Sequence, residues 1–263
     1  MDINQNLSQE QYQIRAWVRI VVRYLMNILL VQRILSFKSC TQDAGIHFEL
    51  DPVLDWYYLP NTNINNMDNS LGSTGTNQAN DIASRLHPGK LVVFFRYGDG
   101  NTPTGNGFSD RMYRFVGMPG WDASGHDIGR LAHDIGHYFG LAHPFPGSGD
   151  TDTDEYIKTA EYIKTHGGTP EALDGDKIPD TPPEAGERYY KINVNPDKCS
   201  NINSYDISGT RLDGTPFTFT FTPDRHNIMG YIGCDPLSFT RMQIDKMRQT
   251  VISRTQNKGL LIN

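Results

Sequence analysis

Between residues 14 and 22 the side chains nearly alternate, with Ile14, Ala16, Val18 and Ile20 on one side and Arg15, Trp17 and Arg19 on the other. A period of two sends successive side chains to opposite faces, which predicts a half-buried strand. The period then lengthens. Leu25, Ile28, Leu29, Gln32 and Leu35 recur at helical spacing from Tyr24 to about Ser39, with Gly45 beyond the end, and a helix is predicted there. Residues 46–50 alternate again and read as a second strand. Strand, helix and strand in that order predict an α/β layer that opens with a parallel pair.

Seven asparagines fall within residues 61–81, with Gly72 and Gly75 among them, so this stretch reads as a loop. Residues 91–97 are a short apolar run between Gly89-Lys90 and Gly98-Asp99-Gly100, which predicts a buried strand. Residues 98–107 are a loop rich in Gly, Asn and Thr, and 113–116 read as a short edge strand. Asp122 or Ser124 can cap a helix that runs to about Phe139 and turns Ile128, Leu131, Ala132 and Ile135 inward. The second half is less regular. Residues 155–166 suit a short helix, and 211–222 alternate Thr and Phe as one arm of a hairpin. No internal repeat is visible.

A length of 263 residues fits one large domain or two small ones. The net charge is −6 without a basic block, so no nucleic-acid partner is expected. The most apolar segment, 17–37, is interrupted by Arg19, Arg23, Asn27, Gln32 and Arg33, which argues against a membrane span. The first dozen residues are polar and show no secretory signal. That leaves a cytosolic protein, or a chain without its leader. Three cysteines permit one bridge and one odd thiol. Asp150, Asp152 and Asp154, and then Asp174, Asp176 and Asp180, crowd two acidic stretches. These are either hard oxygen ligands for calcium (Ca2+) or solvated loops.

The chemistry concentrates in residues 131–143, Leu-Ala-His-Asp-Ile-Gly-His-Tyr-Phe-Gly-Leu-Ala-His. On a helix, His133 and His137 lie four residues apart and share a face. Gly140 is a natural stop, because glycine takes the left-handed conformation without penalty. The chain can then turn back and bring His143 in as a third nitrogen. Three nitrogen ligands with an open fourth position describe a catalytic zinc (Zn2+) site. The spacing arises by chance in only roughly 7 × 10⁻⁴ of chains of this composition, the bland alternative being ordinary surface and core histidines.

This pattern resembles the metzincin zinc peptidases, whose signature is His-Glu-x-x-His-x-x-Gly-x-x-His followed by a methionine turn. Asp134 stands where the family has the glutamate that acts as general base. The resemblance assigns that role to Asp134, on a stem one methylene shorter. The same departure resembles the His-Asp doublet of HD-domain phosphohydrolases, whose fold is all-helical and needs a further upstream histidine and a downstream aspartate. Asn227-Ile-Met-Gly-Tyr231 looks like the methionine turn, with Met229 as the soft apolar floor beneath the histidines. Tyr231 matches a tyrosine that several metzincins place near zinc, where a hydroxyl can donate to an oxyanion. Its plain alternative is a buried tyrosine bonded to backbone.

Three further stretches resemble the pappalysin-like metzincins. Gly140-Leu-Ala-His-Pro-Phe145 is similar to Gly-Leu-x-His-Thr-Phe, with Pro144 in place of threonine. Gly175-Asp-Lys-Ile-Pro-Asp-Thr-Pro182 is similar to Asp-x-(Val/Ile)-x-Asp-Thr-Pro, and Phe239-Thr-Arg-Met-Gln243 with Met247-Arg248 to a closing Phe-Thr-x-x-Gln…Met-Arg helix. The likeness runs roughly from Leu91 to Arg248. It implies a disulfide between Cys199 and Cys234 with Cys40 left over, and so an oxidising, extracellular setting. It also implies that extended substrate adds to the edge strand.

The reading is therefore an α/β (α+β) metzincin-like catalytic domain in two lobes. The upper lobe, to about residue 143, would be a twisted mixed sheet with two long helices above the cleft. The lower lobe, 144–263, would be irregular, with the methionine turn and a C-terminal helix. The expected activity is that of a monomeric, secreted zinc metalloendopeptidase acting on peptides or proteins, slowed by Asp134. Two rivals remain: a zinc-binding module that has lost peptidase activity, and an HD-type metal phosphohydrolase.

Overall fold

The computed structural model describes residues 14–21, 46–49, 56–57, 59–67, 72–86, 90–96, 114–119, 128–147, 159–167, 169–185, 204–232 and 237–256. The helix expected over 24–39, the loop at 98–107, the caps Asp122 and Ser124, the acidic stretch 149–155 and all three cysteines lie outside them. The chain is a mixture of helix and strand. It divides into two compact units, Met1–Asp134 with Arg248–Asn263, and Ile135–Met247.

The first unit holds a five-stranded sheet. Its strands are β1 (Ile14–Val21), β2 (Ile46–Glu49), β3 (Trp56–Tyr57), β4 (Lys90–Arg96) and β5 (Phe115–Pro119), in the order β2-β1-β4-β5. β2 pairs with the start of β1 (Ile14 opposite Ile46) and β3 with its end (Ile20 opposite Trp56). Because β4 occupies the other side of β1, β3 continues the line of β2. The sheet expected to be mixed is parallel at every described pairing. The intervals 22–45, between β1 and β2, and 97–114, between β4 and β5, both exceed the dozen or so residues that a parallel crossover needs. A sheet of this kind also departs from the all-helical architecture of an HD domain.

Residues 61–81, expected as a loop, contain two helices, α1 (Thr62–Asn65) and α2 (Thr74–Asp81), the second running on into a π-helical turn over Ile82–Leu86. Asn61 and Ser73, residue types that also favour turns, start the two helices. Asn61 Oδ1 accepts from Ile64 N at 3.1 Å, and Ser73 Oγ accepts from Thr76 N at 3.3 Å, each satisfying an orphan donor of the first turn. Asn61 Nδ2 also donates to Gln78 Oε1 at 3.1 Å, tying the two helices together. Ile64, Met67, Ala79 and Ala83 pack on Val92, Phe94 and Phe115, and the last two rings meet edge-on at 5.4 Å. β4 is buried on both faces from Leu91 to Phe95, as its unbroken apolar run requires.

The second unit takes up the chain inside α3 (Ile128–Tyr138) and continues through α4 (Thr159–His166), α5 (Pro170–Leu173), β6 (Tyr205–Thr210), β7 (Pro216–Phe221) and most of α6 (Arg241–Gln256). β6 and β7 form an antiparallel hairpin. The Thr/Phe alternation therefore belongs to one strand and its turn, and the partner strand precedes it. Ile207, Phe217 and Phe221 point inward against Ile163, Leu173 and Ile232. Ser208 and Thr218 pair across the outer face at 2.8 Å.

α6 begins with a reciprocal cap. Thr240 Oγ1 accepts from Gln243 N at 3.2 Å, and Gln243 Oε1 accepts from Thr240 N at 2.9 Å, the capping-box arrangement. Asp180 adds its carboxylate: Oδ1 accepts from Thr240 Oγ1 at 2.7 Å and Oδ2 from Met242 N at 2.9 Å. A negative charge at a helix N-terminus is favourable. Among the described residues no helix is long and apolar enough to cross a membrane.

Candidate metal centre

α3 is built to present its histidines and then reverse. Ala132, Ile135 and Tyr138 are buried, while Leu131 is only half-buried. The helix ends as Gly140 N donates to His137 O at 2.8 Å and Leu141 N donates to Gly136 O at 3.0 Å. This pair of bonds is the Schellman closure, which needs a left-handed residue at its centre. Gly140 supplies it with φ of +86°. The next three residues carry the chain back to the helix face it has just left.

The result brings His133, His137 and His143 together, with one ligand nitrogen from each lying within 4.8 Å of the others. His137 Nε2 and His143 Nε2 are 3.0 Å apart, close to the ~3.3 Å that separates two nitrogens bound tetrahedrally at zinc distances. The imidazole of His137 is also oriented from behind. Its Nδ1 lies 2.9 Å from Leu141 O. A carbonyl can only accept, so Nδ1 carries the proton and Nε2 presents its lone pair. Backbone bonds of this kind commonly fix the tautomer of a metal-bound histidine. The three histidines are thus suited to holding a metal ion.

Met229 is fully buried. Its sulfur lies so close to α3 that a Cβ at Gly136 would stand 2.4 Å from it, so a glycine between the two helical histidines makes room for the methionine. The turn carrying Met229 is held by Asn227, whose Oδ1 accepts from Met229 N at 2.9 Å, and by Gly230 N donating to Asn227 O at 3.1 Å. Tyr231 follows, its ring edge-on to His143 at 4.8 Å. Phe145 stacks on His143 at 4.4 Å and tilts against Tyr231 at 5.0 Å. His143 is itself buried, held between these two rings. Asp134 is 3% exposed.

The aspartates of 174–180 separate into three roles. Asp180, for which the sequence left a calcium ligand and a solvated loop both open, caps α6 with both oxygens. Asp174 Oδ1 accepts from Lys177 N at 2.9 Å, closing a turn in which Lys177 has φ of +56°. Asp176 is buried. Its Oδ1 accepts from Ile178 N at 3.0 Å, while Oδ2 has no hydrogen-bond partner among the described residues, and neither has the buried Thr181 Oγ1. Burial, then the neighbouring Asp174, pushes the Asp176 carboxyl up to about 7, against the Ile178 N–H and the Lys246 ammonium, which pull it down.

Sequence reasoning passed over Glu184. It is fully buried, accepts from Tyr231 N through Oε1 and donates its own N–H to Pro144 O at 3.2 Å. A lone glutamate two residues beyond Asp-Thr-Pro carries no local signal of either contact. No protein-family model matches the chain, and no curated protein matches it either.

Proposed function

We propose that this chain is a zinc metalloendopeptidase of the metzincin type, similar to the pappalysin-like family, that hydrolyses peptide bonds. The observation carrying the reading is the convergence of three histidine nitrogens within 4.8 Å on a helix and its glycine-closed return, with His137 held in the tautomer a ligand needs. Met229 packed against Gly136 and Tyr231 against His143 support the same reading. The five-stranded sheet weighs against the phosphohydrolase rival.

Bound zinc supplies Lewis acidity, which acidifies water and polarises a carbonyl. Asp134 takes the proton from the attacking water at its carboxylate and delivers it to the leaving amine. The Tyr231 hydroxyl donates to the carbonyl oxygen as negative charge develops on it. His137 and His143 are kept in place by the Leu141 carbonyl and the Phe145 ring. Substrate is an extended peptide, and the enzyme is a secreted monomer with a Cys199–Cys234 bridge. Within the acidic stretch 174–180, Asp176, whose buried Oδ2 has no hydrogen-bond partner among the described residues, is the carboxylate that best suits a hard cation such as calcium.

One specific feature favours a second reading, a zinc-binding module without turnover. The glutamate that serves as base in the family is an aspartate here, already buried at 3% exposure. Metal analysis and a peptide-library digest, run on the parent chain beside His137→Ala, separate the two. The peptidase predicts one zinc per chain and metal-dependent cleavage, both lost in His137→Ala. One zinc without cleavage of any peptide selects the binding module. Full zinc retention by His137→Ala removes the site.

A further inference from the structure

Glu184 is fully buried, yet the chemistry above gives it nothing to do. A carboxylate is rarely taken out of water unless its oxygens are well used. Three of its contacts fall on segments that carry site residues. The Glu184 N–H donates to the carbonyl of Pro144 at 3.2 Å, directly after His143. Oε1 accepts the Tyr231 N–H. Oε2 lies against Gly230, where a Cβ would stand 2.5 Å from it. The side chain thus fills the space beneath the exit of the methionine turn, and its main chain grips the exit of the third histidine.

The two gripped segments are those whose rings meet. His143 and Phe145 flank Pro144, and their stack bears on Tyr231. We infer that Glu184 is a positioning residue, which through its backbone N–H and its buried carboxylate holds the His143–Phe145 segment in register with Gly230–Tyr231. The consequence is that His143 presents its nitrogen to the metal ion at a fixed angle. Exclusion of water strengthens the hydrogen bond from the Tyr231 N–H to the Glu184 carboxyl oxygen. This inference rests on the reading that the three histidines hold a metal. Outer residues that orient metal ligands typically account for ~10–100-fold in metal affinity.

The test uses the whole chain, with zinc affinity measured by competition against a chromophoric chelator and ligand geometry read from the visible spectrum of the cobalt-substituted protein. Glu184→Ala should bind zinc roughly 10–100-fold more weakly and shift the cobalt bands. Glu184→Gln keeps an acceptor of the same reach and should recover most of that loss. Gly230→Ala should weaken zinc in the same direction, because its Cβ displaces the carboxylate. Combined with Glu184→Ala it should add little further, since the new Cβ then meets no carboxylate. Parent-like zinc affinity with an unchanged cobalt spectrum in Glu184→Ala or Gly230→Ala overturns the inference, as do losses that simply add in the double variant. Should Glu184→Ala fail to fold by circular dichroism, Glu184→Gln and Gly230→Ala decide by the same readings. A parent chain that binds no zinc overturns the metal reading and the inference together. A parent that binds zinc and shows these shifts, yet cleaves no peptide, supports the inference and overturns the peptidase alone.

Discussion

Asp134 directly follows His133 on α3, so its side chain leaves the helix about 100° around from that ligand. A glutamate there would reach one carbon–carbon bond further. A misplacement of ~1 Å in a reacting group can cost on the order of 10²-fold in rate, against a full general-base contribution of ~10²–10⁴-fold. Asp134→Glu is therefore expected to raise kcat/KM on peptides by about tenfold or more, with zinc content unaltered. The position is 97% buried (3% exposed), so the added methylene must be accommodated, and overpacking costs typically ~1–3 kcal/mol of stability. A thermal melt beside the kinetics separates the two effects. If the glutamate variant is slower while still folded and loaded with zinc, Asp134 is matched to this site as it stands. The reading as an inactive module then loses its main support.

At the scale of elements, the centre depends on how α3 ends. Gly140 has φ of +86°, and a side chain in the left-handed region costs roughly 1–2 kcal/mol. Gly140→Ala should lower the melting temperature and weaken zinc binding together, because the strained turn carries His143. Gly140→Asn should do so less, asparagine tolerating that region better. Equal melting and zinc affinity in Gly140→Ala and the parent would show that the turn does not set the position of His143. This turn was legible in the sequence because every part of it is local. The helical period pairs His133 with His137, and one glycine marks the reversal. Contacts between distant positions were not legible in the same way. Glu184 meets Tyr231 across 47 residues, and Asp180 meets Thr240 across 60. No periodicity encodes either, and the acidic crowding around Asp180 suggested a calcium ligand or a solvated loop and gave no sign of a helix cap. The asparagines of 61–81 misled for another reason, since residues that favour turns also start helices. Strand order was legible to the extent that strand, helix, strand predicted a parallel pair. The direction of the later strands was not, because it is set by crossovers that alternation does not reveal.

At the scale of the whole molecule, Asp176 stands out among the described residues as a poorly served buried carboxyl. It is 2% exposed, one oxygen has no hydrogen-bond partner among the described residues, and burial followed by Asp174 raises its pKa to about 7. In the unfolded chain the same carboxyl titrates near ~3.9. Between these values the folded state holds a proton that the unfolded state has released. The stability Asp176 contributes is therefore fully present below pH ~4 and is lost as pH rises through about 7. A cation bound at the Asp176 carboxylate would take the place of that proton and reverse the loss. A ligand present at a hundredfold excess over its Kd stabilises the folded state by ~2.7 kcal/mol, which is roughly 5–11 °C in melting temperature for a chain of this size. With zinc kept in the buffer and calcium omitted, the melting temperature should fall between pH 5 and 7.5, and added calcium should restore it at pH 7.5. Asp176→Asn should flatten that fall and abolish the calcium response, and the difference between parent and variant cancels the titration of the 8 histidines. A calcium response that persists in Asp176→Asn would move the cation elsewhere. A calcium-free parent that grows more stable than the variant as pH rises over this window would mean that Lys246, which already opposes the rise, holds the Asp176 carboxylate ionised in the folded chain.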